Sequence, residues 1–312
     1  DPSIKIEINE ETGENLMSGM GELHLEIIEN RIKTEKGVDV KTSEPIVVYR
    51  ETIQKASKEC EGRSPNKHNV FYVTVELLDD NIYGAIRNGS LPEGRIKKKN
   101  EQLWKQLSAL GVSNDEARQY REIFKGNVFL DQTRGEVHIG EVIDMIMDAV
   151  EQVVNNGPLA KEPCMKMKIC LVDTKLHEDA IHRGPAQVYP AVRDAIKEGM
   201  LQAGATLYEP VQTYAIECPT SFMSEVTKII TMKRGQLLGM SHEGTSGVVI
   251  KAKIPVAEMI GWASDLRSAT EGRGVSSLVD QAFEKVPGSL LPDVLRKIRQ
   301  RKGIEHEYAG TG

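Results

Sequence analysis

The chain has 312 residues, a length typical of two or three domains, and 39% of its residues are apolar. No apolar run approaches the ~20 residues that span a bilayer, and the N-terminus does not resemble a signal peptide, so a cytoplasmic protein without membrane contact is expected. The net charge of −6 argues against a generic nucleic-acid binder. Four cysteines without a Cys-x-x-Cys pair indicate reduced thiols rather than a zinc or redox motif.

Charge is distributed unevenly along the chain. Residues 1–48 carry eleven acidic and five basic side chains, so the remaining residues sum to zero. Two clusters rich in lysine and arginine lie at 95–99 and 296–302. Such clusters suit contact with RNA but are equally typical of solvated helix faces, and the sequence leaves both interpretations open.

The first 48 residues follow the pattern strand, strand, helix, strand. Alternation predicts strands at 4–8 and 15–21, helical spacing predicts a helix over 22–35, and alternation returns at Val38 and Val40. This is most of a βαββαβ unit without its first strand and helix. Together with a start at Asp1, the pattern suggests a piece of a longer protein, although a stand-alone module remains an alternative.

The middle of the chain carries two polar loops. Strands are predicted at 71–77 and 165–172, and helices at 101–110, 115–124, 139–154 and 191–202. One polar segment, 61–69, precedes the first of these strands, and another, 174–189, follows the second. If the two strands pair antiparallel, both loops emerge at the same end of the domain. Their lysine, arginine and histidine donors would then suit phosphates and base edges.

A second βαββαβ pattern begins near residue 209. Strands are predicted at 212–218, 236–240, 248–254 and 275–279, with helices at 222–230 and 256–269 and a terminal amphipathic helix over 291–298. The whole chain is therefore expected to be a multidomain α+β protein.

One alternative function comes from another chemical class. His177, Asp179 and His182 have the spacing His-x-Asp-x-x-His, which could supply three metal ligands to a metal-dependent hydrolase. No clear fourth ligand lies nearby, and the remaining histidines lack ligand spacing. This is the remote alternative.

Four motifs occur in one order along the chain and carry a resemblance that covers almost all of it. They are Ser18-Gly-Met-Gly-Glu-Leu-His-Leu-Glu26, Ser64-Pro-Asn-Lys-His-Asn69, Leu176-His-Glu-Asp-Ala-Ile-His-Arg-Gly184 and Lys233-Arg-Gly-Gln236. They resemble a third-domain signature, the two tip loops of a fourth domain, and a fifth-domain element of the translation elongation factor 2 family, which is related to bacterial elongation factor G. Gly184-Pro-Ala-Gln187 resembles the archaeal form.

The resemblance implies a fold and a domain division. Ferredoxin-like βαββαβ sandwiches would flank a fourth domain similar to ribosomal protein S5. Residues 1–48 would be part of domain III, 49–206 domain IV with inserted helices at about 97–156, and 207–312 domain V with a C-terminal helix.

The resemblance also implies a function for the longer protein. It would be a GTP-dependent translocase that moves tRNA and mRNA through the ribosome, with the tip of domain IV contacting the decoding region. No Gly-x4-Gly-Lys-Ser/Thr motif occurs here, so GTP and Mg²⁺ belong to a missing GTPase domain and this chain alone should not hydrolyse GTP. Expected partners are ribosomal RNA, tRNA, mRNA and the diphthamide-modifying enzymes, and the expected state is a monomer. Alternatives are a translocase paralogue and a stand-alone ribosome- or RNA-binding module.

The site residues are carried over from the matching motifs, and no catalytic, cofactor or metal residue is expected. His182 matches the histidine that is modified to diphthamide, and His177 and Asp179 are expected to shape its loop and present it to the modifying enzymes. The tip or RNA-contacting residues are Ser64, Pro65, Asn66, Lys67, His68, His177, Asp179, Arg183 and Gly184. Candidates for contact with other domains or the ribosome are Gly19, Gly21, His24, Lys233 and Arg234.

Overall fold

A computed structural model describes residues 3–8, 15–19, 22–43, 45–97 and 99–309. The chain divides into two compact units. One comprises Asp1–Val48 with Glu209–Glu284, and the other comprises Tyr49–Tyr208 with Lys285–Gly312. Within the described residues, no helix is long and apolar enough to cross a membrane.

The N-terminal part of the first unit is a strand pair and one helix. The elements are β1 (Lys5–Ile8), β2 (Asn15–Ser18) and α1 (Glu22–Lys36), and β1 pairs antiparallel with β2. Helix α1 carries an exposed ion pair of i,i+4 spacing between Glu29 and Lys33 and ends at Gly37, whose φ is +65°. These three elements confirm the sequence prediction. The predicted strand at Val38 and Val40 is wrong, because the described residues 37–43 hydrogen-bond to no neighbouring strand and alternation alone cannot make one.

The second unit is built on a six-stranded sheet. The sheet contains β4 (Cys60–Arg63), β5 (Val70–Leu77), β6 (Gly94–Arg95), β7 (Tyr120–Phe124), β8 (Asn127–Asp131) and β9 (Met167–Lys175). A further short strand, β3 (Arg50–Thr52), lies outside this sheet and pairs antiparallel with residues 206–208. The helices of the unit are α2 (Asp80–Arg87), α3 (Glu101–Ala109), α4 (Asn114–Ala117), α5 (Ile139–Asn155) and α6 (Pro185–Gln202). The sheet order is β4-β5-β9-β8-β7-β6, with β8 and β9 parallel and the other neighbours antiparallel.

Helices cover both faces of this sheet, because alternate residues of its central strands are buried on opposite sides. In β8, Phe129 faces one core, whereas Val128 and Leu130 face the other. The first core lies under α5 and α6 and includes Phe71, Val73, Ile146, Val150, Val192 and Ile196. The second lies under α2 and α3 and includes Ile82, Leu103, Leu107 and Ile123.

The predicted helix over 115–124 is wrong beyond its first residues. Helix α4 stops at Ala117, and β7 and β8 then form a hairpin. The turn residues Lys125 and Gly126 have φ of +47° and +76°, the backbone that a tight hairpin turn requires. Pairing with β8 buries Tyr120 and Ile123, and this tertiary contact overrides the local helical preference. The region 97–156 therefore contains strands as well as the predicted helices.

The C-terminal part of the first unit has the predicted βαββαβ arrangement. Its elements are β10 (Thr206–Pro219), α7 (Met223–Met232), β11 (Gln236–Glu243), β12 (Gly247–Pro255), α8 (Trp262–Ala269) and β13 (Val275–Lys285). The sheet order β11-β12-β10-β13 places the first strand between the third and fourth, as in ferredoxin-like folds. The helices bury Val226, Ile230, Trp262 and Leu266 against it. The mixed α+β fold class is thus confirmed.

The last helix, α9 (Leu291–Lys302), groups with the second unit. Its basic side chains reach the loop after α5, where Arg299 donates to the carbonyl of Leu159 at 2.8 Å and Lys302 to that of Ala160 at 2.8 Å. The division into 1–48, 49–206 and 207–312 stays a prediction.

Candidate nucleic-acid interface

The ladder between β5 and β9 brings the two polar loops to one end of the sheet. Val70, the first residue of β5, pairs with Lys175, the last residue of β9. The loop Ser64–Asn69 therefore ends where the loop Leu176–Gly184 begins, as the antiparallel argument predicted. We call these two loops together the tip.

A tight turn closes the first loop. The N–H of Ser64 donates to the carbonyl of Asn69 at 2.9 Å, and that of Lys67 donates to the carbonyl of Ser64 at 2.8 Å. Lys67 adopts a φ of +64°, and its side chain is exposed, as are those of Pro65 and His68. The turn thus presents an ammonium group and an imidazole to solvent.

Asn69 joins the two loops from a fully buried position. Its Nδ2 donates to the main-chain oxygen of His182 at 2.7 Å, and its Oδ1 accepts from the N–H of His177 at 3.0 Å. Its own N–H donates to the Oγ of Ser64, also buried, at 3.0 Å. Because both loop backbones bond to one side chain, their relative position is fixed.

Asn66 makes a second connection. Its Nδ2 donates to the same His182 oxygen at 3.0 Å, and its N–H donates to Oε1 of Gln187, in the first turn of α6, at 2.9 Å. Its Oδ1 accepts from the hydroxyl of Ser64 at 2.6 Å and from the N–H of His68 at 3.1 Å. The main chain at His182 is therefore held by two amides of the other loop.

Three imidazoles cluster on this framework. The ring centroids of His68 and His177 lie 5.0 Å apart, those of His68 and His182 4.9 Å, and those of His177 and His182 4.4 Å. His177 and His182 are half-buried and His68 is exposed. Together they form a compact surface of ring faces and nitrogen donors, a combination suited to bases and phosphates.

His177 and Asp179 shape the second loop through local hydrogen bonds. The N–H of Asp179 donates to Nδ1 of His177 at 3.0 Å, so the neutral ring carries its proton on Nε2. Oδ1 of Asp179 accepts from the N–H of Ile181 at 3.1 Å and caps the single turn Ala180–His182. Both hydrogen bonds lie within the loop and stabilise its shape.

Arg183 points inward. Its side chain is buried, donates to the carbonyls of His177 and Glu178, and pairs with the carboxylate of Glu141 on α5. Hydrogen bonds from His138 and Arg183 hold the pKa of Glu141 below its usual value. The structure therefore gives Arg183 a loop-anchoring position, with no exposed guanidinium for RNA.

Helix α6 begins directly after the second loop. Gly184 caps it and Pro185 occupies its first turn, where a missing N–H costs nothing. The helix then lies on β4 so closely that a Cβ on Gly62 would approach the carbonyl oxygen of Ala191 to 1.9 Å. This contact fixes α6, and with it Gly184, relative to the tip.

A third loop, which sequence reasoning missed, reaches the same end of the sheet. β8 runs parallel to β9, with Asp131 beside Leu171, so residues 132–138 leave the sheet beside the tip. Oε2 of Glu136 accepts from the hydroxyl of Thr174 at 3.3 Å, and Arg134 and Val137 are exposed. The Lys125-Gly126 hairpin turn was the sequence signal that could have located β8 and therefore this loop.

The other predicted contact residues lie elsewhere. Gly19 packs against the side chains of His24 and Leu25, and Gly21 lies outside the described residues. Arg234 forms two 3.0 Å bonds with the buried carboxylate of Glu209 and one of 2.8 Å with Glu258. Hydrogen bonding to Glu209 raises the pKa of Arg234.

Lys233 is also paired within its own domain, because its Nζ lies 3.0 Å from the carboxylate of Asp265. As for metal ions, no group of three or more His, Cys, Asp or Glu side chains in the described ranges is arranged to hold one.

Comparison with known proteins decides the family. Residues 1–44 match the model of elongation factor G domain III, 93–204 that of domain IV, and 206–304 that of the elongation factor G C-terminus. Elongation factor 2 of Nanoarchaeum equitans is 52% identical over 97% of this chain, and that of Pyrococcus abyssi 48% over 98%. The chain belongs to the elongation factor G and elongation factor 2 family.

Two features of this family member follow from the matched ranges. The chain spans 41% of the length of the elongation factor 2 sequences from Nanoarchaeum equitans, Pyrococcus abyssi and Pyrococcus furiosus. The second and third loops lie inside the stretch matched as domain IV, and Ser64–Asn69 precedes that stretch but belongs to the same sheet.

Proposed function

We propose that this chain is the C-terminal part of a GTP-dependent translocase that moves tRNA and mRNA through the ribosome during elongation, and that its tip contacts the decoding region. The observation that carries the proposal is the joining of two separate loops, through Asn66 and Asn69, into one surface bearing three histidines. Family membership supports the same role.

The geometry suits a positional function. Buried amides fix the backbone of both loops, while Lys67 and His68 remain exposed. A rigid projection with donors at its end can occupy a site beside RNA and prevent backward movement without any covalent chemistry. GTP and Mg²⁺ would act in another part of the longer protein, which we expect to be a cytoplasmic monomer.

His182 is proposed as the residue modified to diphthamide. Its carbonyl is held by two amides while its half-buried ring keeps part of its surface open to solvent, which supports presentation of the imidazole to modifying enzymes. The mass of the His182 peptide from native material tests this, and an unmodified mass would remove the assignment. His177→Ala and Asp179→Ala should both reduce modification, and full modification of both variants would contradict a presenting role.

The translocase proposal is tested in the longer protein that carries this chain. Single-turnover translocation should slow roughly ten-fold or more when His68 and His182 are both replaced by alanine, because the loss affects positioning at the RNA. The thermal unfolding midpoint should stay close to the wild-type value. Lys105→Ala, which removes an exposed cation from α3, is the control.

Two outcomes would redirect the proposal. Unchanged translocation in the double variant would contradict the tip role. Ribosome binding without any GTP-dependent movement would instead favour the stand-alone binding module or a translocase paralogue.

A further inference from the structure

An open groove of ≈ 570 Å³ lies beside the tip, where β5, β9 and the third loop meet. Its volume falls within the roughly 300–1,000 Å³ typical of small-molecule sites. The lining residues that matter here are Tyr72, Gln132, Arg134, Lys175 and the carboxylates of Glu59 and Asp173. The groove therefore combines an aromatic ring, two cations and two acceptors.

The two cations are available to a ligand. The ammonium of Lys175 lies 5.7 Å from the ring centroid of Tyr72, and neither Lys175 nor Arg134 forms an ion pair with any residue that the structure describes. Elsewhere in this unit, Lys166 and Lys168 are paired with carboxylates. Neither cation lies within ion-pair distance of a described carboxylate, so both charges could bind a phosphate.

The remaining lining residues fit the rest of a nucleotide. The half-buried Tyr72 ring offers a surface on which a base can stack. Oδ1 of Asp173 already accepts the N–H of Thr174, which orients this carboxylate, and carboxylates accept from the exocyclic amino groups of bases. The two carboxylates offset the charge of the two cations, which favours a ligand that carries amino donors as well as a phosphate over a simple anion.

The groove is continuous with the tip. Lys175 lies two residues before His177, and the third loop, which carries Arg134, is bonded to β9 through Glu136 and Thr174. We propose that this groove binds one nucleotide of a single-stranded RNA segment, with its phosphate between Arg134 and Lys175 and its base against Tyr72. The inference rests on the proposed RNA contact of the tip and adds a second binding position to it.

Binding of fluorescein-labelled oligouridine and oligoadenosine to the full chain, measured by fluorescence anisotropy at several salt concentrations, tests the proposal. Arg134→Ala and Lys175→Gln should each weaken binding and reduce the salt slope by about 1. Tyr72→Leu should weaken binding about five-fold or more at an unchanged salt slope, and Tyr72→Phe should retain it, because only the ring is needed. Lys105→Gln, which removes an exposed cation that does not line the groove, should bind like the wild type.

The results distinguish the groove proposal from the proposed function of the tip. No RNA binding by the wild-type chain, or equal affinity in all groove variants, overturns the groove proposal. A loss in Lys105→Gln equal to that in Lys175→Gln also overturns it, since binding would then follow net charge alone. If groove variants bind normally while the His68 and His182 double variant loses translocation, the groove proposal fails and the proposed function stands.

Discussion

The side-chain amide of Asn69 donates to the main-chain oxygen of His182 at 2.7 Å, while its Oδ1 accepts from the N–H of His177 at 3.0 Å. These contacts join a hairpin turn to a loop more than a hundred residues later in the chain. Asn69 is fully buried, so losing its side chain removes both bonds from the interior of the tip. The position of the histidine cluster therefore depends on a residue outside the histidine loop.

Asn69→Ala should loosen the tip while leaving the sheet folded. The free energy of opening of the second loop should fall by about 1–3 kcal/mol, because buried groups lose their partners. Amide hydrogen exchange at His177 measures this directly. Gln202→Ala, an exposed change at the end of α6, is the control and should leave exchange at His177 unaltered, and equal exchange in both variants would contradict the anchoring role.

Gly62 is in close contact with α6 whereas Gly140 has open space around it, so alanine should have opposite effects on stability at the two positions. Gly62→Ala should destabilise the second unit by about 1–3 kcal/mol or more, because its Cβ would meet the backbone of Ala191. Gly140→Ala, in α5 with nothing within 4 Å, should stabilise by about 0.4–1 kcal/mol. Urea denaturation compares the two, and similar midpoints would show that α6 can move away from β4.

Arg234→Ala should act on the stability of its ferredoxin-like domain. The substitution leaves the carboxylate of Glu209, which is 3% exposed, without its paired guanidinium, at a cost of about 2–3 kcal/mol. Arg267→Ala removes an exposed arginine from the same domain and should change stability by about 0.5 kcal/mol or less. Equal unfolding midpoints for both variants would mean that the Arg234 pair contributes nothing.

Glu51 should make the stability of the second unit depend on pH. Burial raises the pKa of this carboxyl from 4.5 to about 7, against the opposing effect of N–H donors from Leu159, Ala160 and Glu162. Because the folded-state pKa is the higher one, its stabilising contribution is complete below pH 4.5 and is lost as pH rises through 7.

The free energy of unfolding should therefore fall by about 2 kcal/mol between about pH 5 and pH 7 on account of Glu51. Glu51→Gln carries no charge at either pH, so its unfolding free energy should lack this component. Urea denaturation of both proteins across the range measures the difference. Parallel pH profiles for wild type and variant would show that Glu51 does not titrate as described.

The main strands, their pairing at the tip and the second βαββαβ unit were accessible from sequence, because alternation and helical spacing are local signals. The sequence did not show which charged side chains are exposed and which are paired within the fold. Arg183 is buried against Glu141, and Lys233 and Arg234 are held by acids of their own domain. Charge type alone cannot show whether a side chain meets solvent or a partner distant in sequence.

The third loop was missed for a related reason. Its place beside the tip depends on parallel pairing of β8 with β9, which no local pattern specifies. Antiparallel pairing with β8, a different contact, makes 120–124 a strand despite its helical pattern. Hydrogen bonding between strands, rather than the helical spacing of single segments, decided both features.

Site-directed hydroxyl-radical probing tests most directly whether the tip contacts the decoding region. The four cysteines of this chain are free and buried, and burial raises the pKa of Cys170 to about 12, so an iron chelate can be attached selectively to an introduced exposed cysteine.

The probe would be placed at Ala180→Cys in the longer protein, stripped of other exposed cysteines and bound to the ribosome, with Lys105→Cys on α3 as the control. Cleavage of decoding-region RNA from position 180 but not from position 105 is the expected result. Cleavage confined to other RNA, or identical patterns from both positions, would contradict the account.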